Sequence, residues 1–177
     1  MPEEVIIVER DEALKRASRN LWKGRYDRGE GFRPETLAND IWDLFANGAQ
    51  RVKDFATTLP FFAMVLVVGG WPCPQLSNMS EGDGAAGLCG KDSSCFYALY
   101  LFIFIFRKQR PDADIQFILE NVLMQPQFKL AIKEAMGIEN REDSNVEVNT
   151  GEASLFTRKR GLFSSFRKGV IIIVKRR

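Results

Sequence analysis

The stretch CFYALYLFIFIFRKQRPDADIQFILENVL, residues 95–123, decides how this chain folds. Ser93 to Phe106 carries no charge over 14 residues, so it belongs in a core. Cys95 to Arg107 has the length of a helix, although its Phe-Ile-Phe-Ile-Phe tail also suits a strand. Pro111-Asp112 then opens a second helix, with Ile115, Ile118, Leu119, Val122 and Leu123 on its inner face at helical spacing. Pro126 breaks that helix. Phe128, Leu130, Ile132, Ala135 and Met136 form a further one, closed by Gly137. Read this way, the centre of the chain is helical.

The same periodicity extends upstream. Pro34 suits a first helical position and Glu35 a first turn, where the helix dipole favours an anion. Leu37, Ile41, Leu44, Phe45, Val52, Phe55, Ala56 and Leu59 then make one apolar stripe that ends at Pro60. Gly48 interrupts it at a cost of about 1 kcal/mol relative to Ala, so a kink or two abutting helices are expected there. Residues 10–23 read as a charged helix and 24–33 as a linker. Phe61 to Val68 is apolar all round and is expected to be buried. Gly69 to Ser94 holds six of the fourteen glycines and two of the seven prolines, and reads as one long loop.

Towards the other end, residues 139–152 are polar and read as a hinge, and 153–177 form a basic arm. Val5 to Val8, flanked by Glu3, Glu4 and Glu9, mirrors Val170 to Val174, flanked by Lys168 and by Lys175 to Arg177. Paired as strands, within one chain or between copies, the two would match apolar faces and opposite charges. The expected fold is therefore mainly α. It consists of one helical core domain of about five helices over residues 10–138, a β-prone arm at 1–9, a hinge at 139–152 and a basic C-terminal arm at 153–177.

Histidine is absent, which excludes Ser-His-Asp and Cys-His nucleophile systems and His-ligated zinc. Cys73, Cys89 and Cys95 are odd in number and suit no disulfide scaffold. They read as buried or idle thiols. Gly82-Asp83-Gly84-Ala85-Ala86-Gly87 matches the dinucleotide pattern in letters but does not directly follow a strand, and no acidic residue lies between Asp92 and Asp112 to hold a ribose. Asp40 and Asp43 are three apart, as a metal pair or an acid/base pair requires, yet they lie opposite the apolar stripe and read as a solvated face. No cofactor, no metal and no enzymatic activity are expected, the rival being a small-molecule or nucleotide enzyme built on the 69–94 loop.

Charge carries the functional expectation. Residues 153–177 hold eight Lys and Arg and no acid, while the other 152 residues hold 17 basic against 23 acidic side chains. An acidic body with a basic arm suggests a polyanionic partner or docking on another copy. In the arm, Arg158, Lys159, Arg160, Arg167, Lys168, Lys175, Arg176 and Arg177 suit phosphates, and Phe163 and Phe166 suit stacking on unpaired bases. The chain is thus expected to be a non-enzymatic assembly protein of nucleocapsid or matrix type. It would bind single-stranded RNA or DNA without base specificity and associate with itself through its terminal arms. The alternative is a peripheral or partly inserted membrane-associated protein that uses residues 155–174, with 55–71 as an optional second segment, on an anionic membrane surface. Met1-Pro-Glu-Glu lacks a basic, apolar signal pattern, so the expected setting is intracellular, cytoplasmic or nuclear, or a virion.

Overall fold

The computed structural model describes residues 6–17, 20, 35–72, 76, 87–140, 145–149 and 159–166. It divides into two compact units, residues 1–59 and 60–177.

In the first unit, β1 (Ile6–Val8) pairs in parallel with β2 (Glu35–Ala38). Parallel neighbours need a crossover, and it includes a helix over 12–17, α1. Asp11 starts α1, its Oδ1 accepting the amides of Ala13 and Leu14 at 2.8 and 2.9 Å. Lys15 is 2% exposed, and its ammonium donates to Glu12 Oε1 at 2.7 Å and Asn39 Oδ1 at 2.9 Å, which ties α1 to the turn after β2. Asp40 and Asp43 form a reciprocal capping box on a 3-10 helix at Ile41–Phe45. Helix α2 (Ala46–Thr58) follows, with Asn47, Gly48 and Ala49 left-handed at φ 53°, 66° and 63°. The break expected at Gly48 is there. The long helix expected from Pro34 is not, because Glu35–Ala38 is a strand. The β-branched run at the N-terminus thus finds its partner in β2. Residues 170–174, the expected partner, lie outside the described residues, as does the 24–33 linker.

The second unit is a mixed sheet. Its elements are β3 (Met64–Gly70), α3 (Cys95–Gln109), β4 (Asp114–Val122), α4 (Pro126–Met136), β5 (Asn145–Asn149) and β6 (Lys159–Ser164). The strand order is β3-β4-β6-β5. β3 and β4 are parallel, in register from Met64↔Asp114 to Gly70↔Glu120, and β6 runs antiparallel to both β4 and β5. The protein is therefore α/β, and the expectation of a mainly α, all-helical fold is overturned.

The decisive misreading falls on β4. Ile115, Ile118, Leu119 and Val122 lie at helical spacing, but in the strand Ile115, Phe117, Leu119 and Asn121 are buried on one face while Ile118 and Val122 lie on the other. Because the half-exposed face also carries apolar Ile118 and Val122, the sequence reads as a near-continuous apolar run, which also satisfies a helical template. The helices α3 and α4 form where expected. Gly137 closes α4 at φ 68°, its amide donating to Glu134 O at 3.0 Å, while Ile138 N donates to Lys133 O at 2.9 Å. Phe61 to Val68 is not buried all round, since Phe61, Phe62 and Met64 are 83%, 82% and 78% exposed. β5 falls within the 139–152 stretch, and β6 places part of the basic arm inside the sheet. Among the described residues no helix is long and apolar enough to cross a membrane.

The amino ends of β3 and β4 are clipped together. Arg110 donates from Nε to Asp112 Oδ1 at 2.9 Å, and from Nη2 to Asp112 Oδ2 at 2.7 Å and Pro60 O at 2.6 Å. Its guanidinium also lies 5.7 Å from the Phe61 ring centroid. Asp112 Oδ2 in turn accepts the Phe62 amide at 3.0 Å. The Arg110 hydrogen bond, followed by the Phe62 amide, holds the Asp112 carboxyl well below the usual carboxylate range. A depressed folded value contributes stability that is present above the ordinary carboxyl range near 4 and lost as pH falls toward the folded value. Asp112→Asn should therefore lower the urea midpoint at pH 7 and flatten its decline between about pH 5 and pH 2 relative to the parent. Superimposable pH profiles would contradict the clip.

Candidate functional site

Side chains gather at the carboxyl ends of β3 and β4, the edge where open α/β sheets hold their ligands. β3 ends in Gly69-Gly70 and leads to Trp71 and Pro72, while β4 ends in Glu120-Asn121-Val122. Register sets Gly70 beside Glu120. A Cβ on Gly70 would lie 3.0 Å from Glu120 Oε2 and 3.1 Å from its backbone oxygen, so a side chain there would make Glu120 give way by a few tenths of an ångström.

On the other side of β4, Arg160 of β6 is opposite Val122, one diagonal step from Glu120 on the same sheet face. Arg160 Nε meets Glu120 Oε1 at 2.9 Å, with the two side chains 25% and 46% exposed. An ion pair this exposed contributes at most about 1 kcal/mol to stability. Glu120 Oε2 and the Arg160 Nη groups have no other partner among the described residues. Acceptor and donors therefore stand side by side, in reach of solvent.

Asn121 is buried and does a different task. Its Nδ2 donates to Trp71 O at 3.0 Å and its Oδ1 accepts the Val122 amide at 2.8 Å. The first bond spans 50 residues and fixes the backbone where the chain leaves β3. Trp71 is itself buried, with its ring 5.2 Å from that of Phe96 on α3. Its indole N–H has no acceptor among the described residues, an uncommon state for a buried donor. Beside the edge, Lys129 of α4 and Glu147 of β5 face each other at 4.0 Å.

The residues singled out from the sequence are dispersed by the structure. Lys159 is exposed on β6 next to Arg160, whereas Phe163 is 1% exposed and belongs to the core, so it cannot stack on a base. Phe166 is half-buried. Arg158, Arg167, Lys168, Lys175, Arg176 and Arg177 lie outside the described residues. So do Gly82 to Ala86 of the glycine motif, while Gly87, at φ +53°, packs so closely on Phe128 that a Cβ would reach within 2.2 Å of that ring. Cys89 and Cys95 are free thiols, Cys73 lies outside the described residues, and no group of three potential metal ligands occurs among those described. Burial, and then the adjacent Cys89 thiol, push the Tyr97 phenol up.

Sequence reasoning missed Glu120, Asn121, Gly70 and Trp71. The signal that was available is a carboxylate and an amide inside an otherwise apolar run, and a double glycine ending another. Comparison with protein-family models and with curated proteins finds no match.

Removing the Asn121 amide leaves Trp71 O and the Val122 amide without their partner. Asn121→Ala should cost about 1–3 kcal/mol in urea unfolding and speed amide exchange around residues 70–72. An unchanged midpoint would show that the amide does not brace this edge.

Proposed function

We propose that the chain binds single-stranded nucleic acid and reads an unpaired, amine-bearing base at the carboxyl edge of β3 and β4. The observation that carries this reading is the Glu120–Arg160 pair, an acceptor and a donor held 2.9 Å apart at a solvent-accessible sheet edge. A carboxylate accepts from an exocyclic amine, as Glu and Asp do from cytosine N4, and a guanidinium donates to ring nitrogen or carbonyl acceptors. Cytosine presents both kinds of group on one ring edge. Lys159 is exposed next to Arg160, and the cation-rich 153–177 segment supplies phosphate contacts. The nucleic-acid reading is thus supported by this acceptor–donor pair in addition to the cationic arm, while Phe163, 1% exposed, serves the core.

A second reading is catalytic, an enzyme built on the loop that leaves β3. What favours it is the starting point of that loop, beside Glu120 and Arg160, where α/β sheets carry their reacting groups.

Both readings are tested by fluorescence anisotropy with a cytosine-containing single-stranded oligonucleotide, an abasic equivalent and a salt series. Binding should weaken steeply with salt through the phosphate contacts. Glu120→Gln should weaken the cytosine oligonucleotide by roughly 5–100-fold, the worth of one good base contact, and leave the abasic one unchanged. Equal losses on both would remove the base-reading edge, and no binding would remove the reading as a whole. Turnover of the oligonucleotide by the parent, read by mass spectrometry and lost in Glu120→Gln, would establish the catalytic reading; an unaltered oligonucleotide would leave binding alone.

A further inference from the structure

One face of β3 meets solvent. On the other, Gly69 packs against α3, where a Cβ would lie 3.3 Å from Leu99 Cδ2. Met64, Leu66 and Val68 alternate away from α3 and are 78%, 45% and 69% exposed. Just before the strand, Phe61 and Phe62 are 83% and 82% exposed. The two rings are held out at a cost, since Phe62 has φ 59°, a left-handed backbone that bulky residues rarely adopt. Asp112 Oδ2 fixes it by accepting the Phe62 amide at 3.0 Å, and Arg110 lies 5.7 Å from the Phe61 ring centroid. Backbone strain of this kind clusters at functional positions, and contiguous apolar surface marks interaction sites.

We propose that this strip is a dimer interface. Phe61, Phe62, Met64, Leu66 and Val68 pack on the same residues of a second copy about a two-fold axis, sheet face on sheet face. An isologous contact needs a patch that complements itself. Residues 61–70 carry no charge, so laying the strip on its own copy opposes no like charges within it. Its neighbour on β4 is the exposed carboxylate of Asp114, beside Met64. That charge disfavours a phosphate backbone or an anionic bilayer on the strip.

The area suffices for a weak dimer. With about 200 Å² for an aromatic side chain and about 100 Å² for an aliphatic one, the exposed fractions offer about 500 Å² on each copy. Two strips together bury about 1,000 Å², the lower bound of a specific interface. Packed sheets lie about 10 Å apart with strands within about 30° of one another, which lets the alternate side chains of two β3 strands interdigitate. The strip stops one outward position short of Gly70 and Glu120, so the edge proposed for base reading lies beside it. The dimer does not rest on the nucleic-acid reading.

Analytical ultracentrifugation of the full chain without nucleic acid tests the proposal. Between about 1 and 100 μM the mass should rise from one chain to two, the range expected of a small interface. Over the same range, peroxide oxidation of Met64, read by mass spectrometry, should slow about threefold or more as the dimer covers it. Val68→Lys, which would bury an unpaired ammonium, should weaken the dimer roughly tenfold or more. Phe62→Gly removes a ring and relaxes the left-handed backbone, so it should weaken the dimer without lowering the urea midpoint of the monomer. A chain that stays monomeric, a dimer that neither variant weakens, or Met64 oxidation independent of concentration would overturn the proposal. Co-sedimentation with phosphatidylcholine vesicles, lost in either variant, would also overturn it by assigning the strip to a lipid surface.

Discussion

The parallel register of β3 on β4 is the constraint from which the rest of the second unit follows. It is set at the amino ends, where Arg110 and Asp112 grip Pro60 O and the Phe62 amide and so hold the starts of both strands at one level. Six residues further on, the same register brings Gly70 beside Glu120. A shift by one residue would turn Glu120 into the face that buries Phe117 and Leu119, and would set Gly69, which already lies against Leu99, out of its place. The clip at one end of the strands thus fixes the chemistry available at the other.

Polar residues inside an apolar strand are costly unless satisfied, and the two at the end of β4 meet that condition in different ways. Asn121 faces the interior and has each of its polar atoms bonded to backbone, which makes it a brace. Glu120 faces outward, takes one guanidinium contact from a strand more than thirty residues away in sequence, and keeps an oxygen open to solvent. The division between a buried amide that orders the edge and a half-exposed carboxylate beside a guanidinium is the physical basis of the proposed reading. In the first unit the polar outlier Lys15 is enclosed and fully engaged with Glu12 and Asn39, and its role is to lock a helix to a turn.

Much of the local structure was legible in the sequence, and the topology was not. Length marked α3, Pro126 and Gly137 bounded α4, and the break at Gly48 showed in the stripe it interrupts. β4 was hidden because apolar Ile118 and Val122 on its half-exposed face erase the polar alternation that identifies a strand. β6 was hidden because Lys159, Arg160 and Gly161 dilute a six-residue strand whose apolar positions are only Leu162 and Phe163. Missing those two strands turned a sheet into a bundle, and turned Arg160 from a site residue on a fixed strand into one cation of a loose arm. Glu120 could not be singled out until β6 had brought Arg160 to it.

The central claim is that function resides at the carboxyl edge of β3 and β4. Its most direct test is a titration of isotope-labelled protein with a short cytosine-containing single strand, followed by amide and side-chain chemical shifts. The account predicts that the largest changes cluster at Gly70, Trp71, Glu120, Asn121 and the Arg160 guanidinium. Changes confined to other parts of the chain, with those five groups unmoved at saturation, would contradict it.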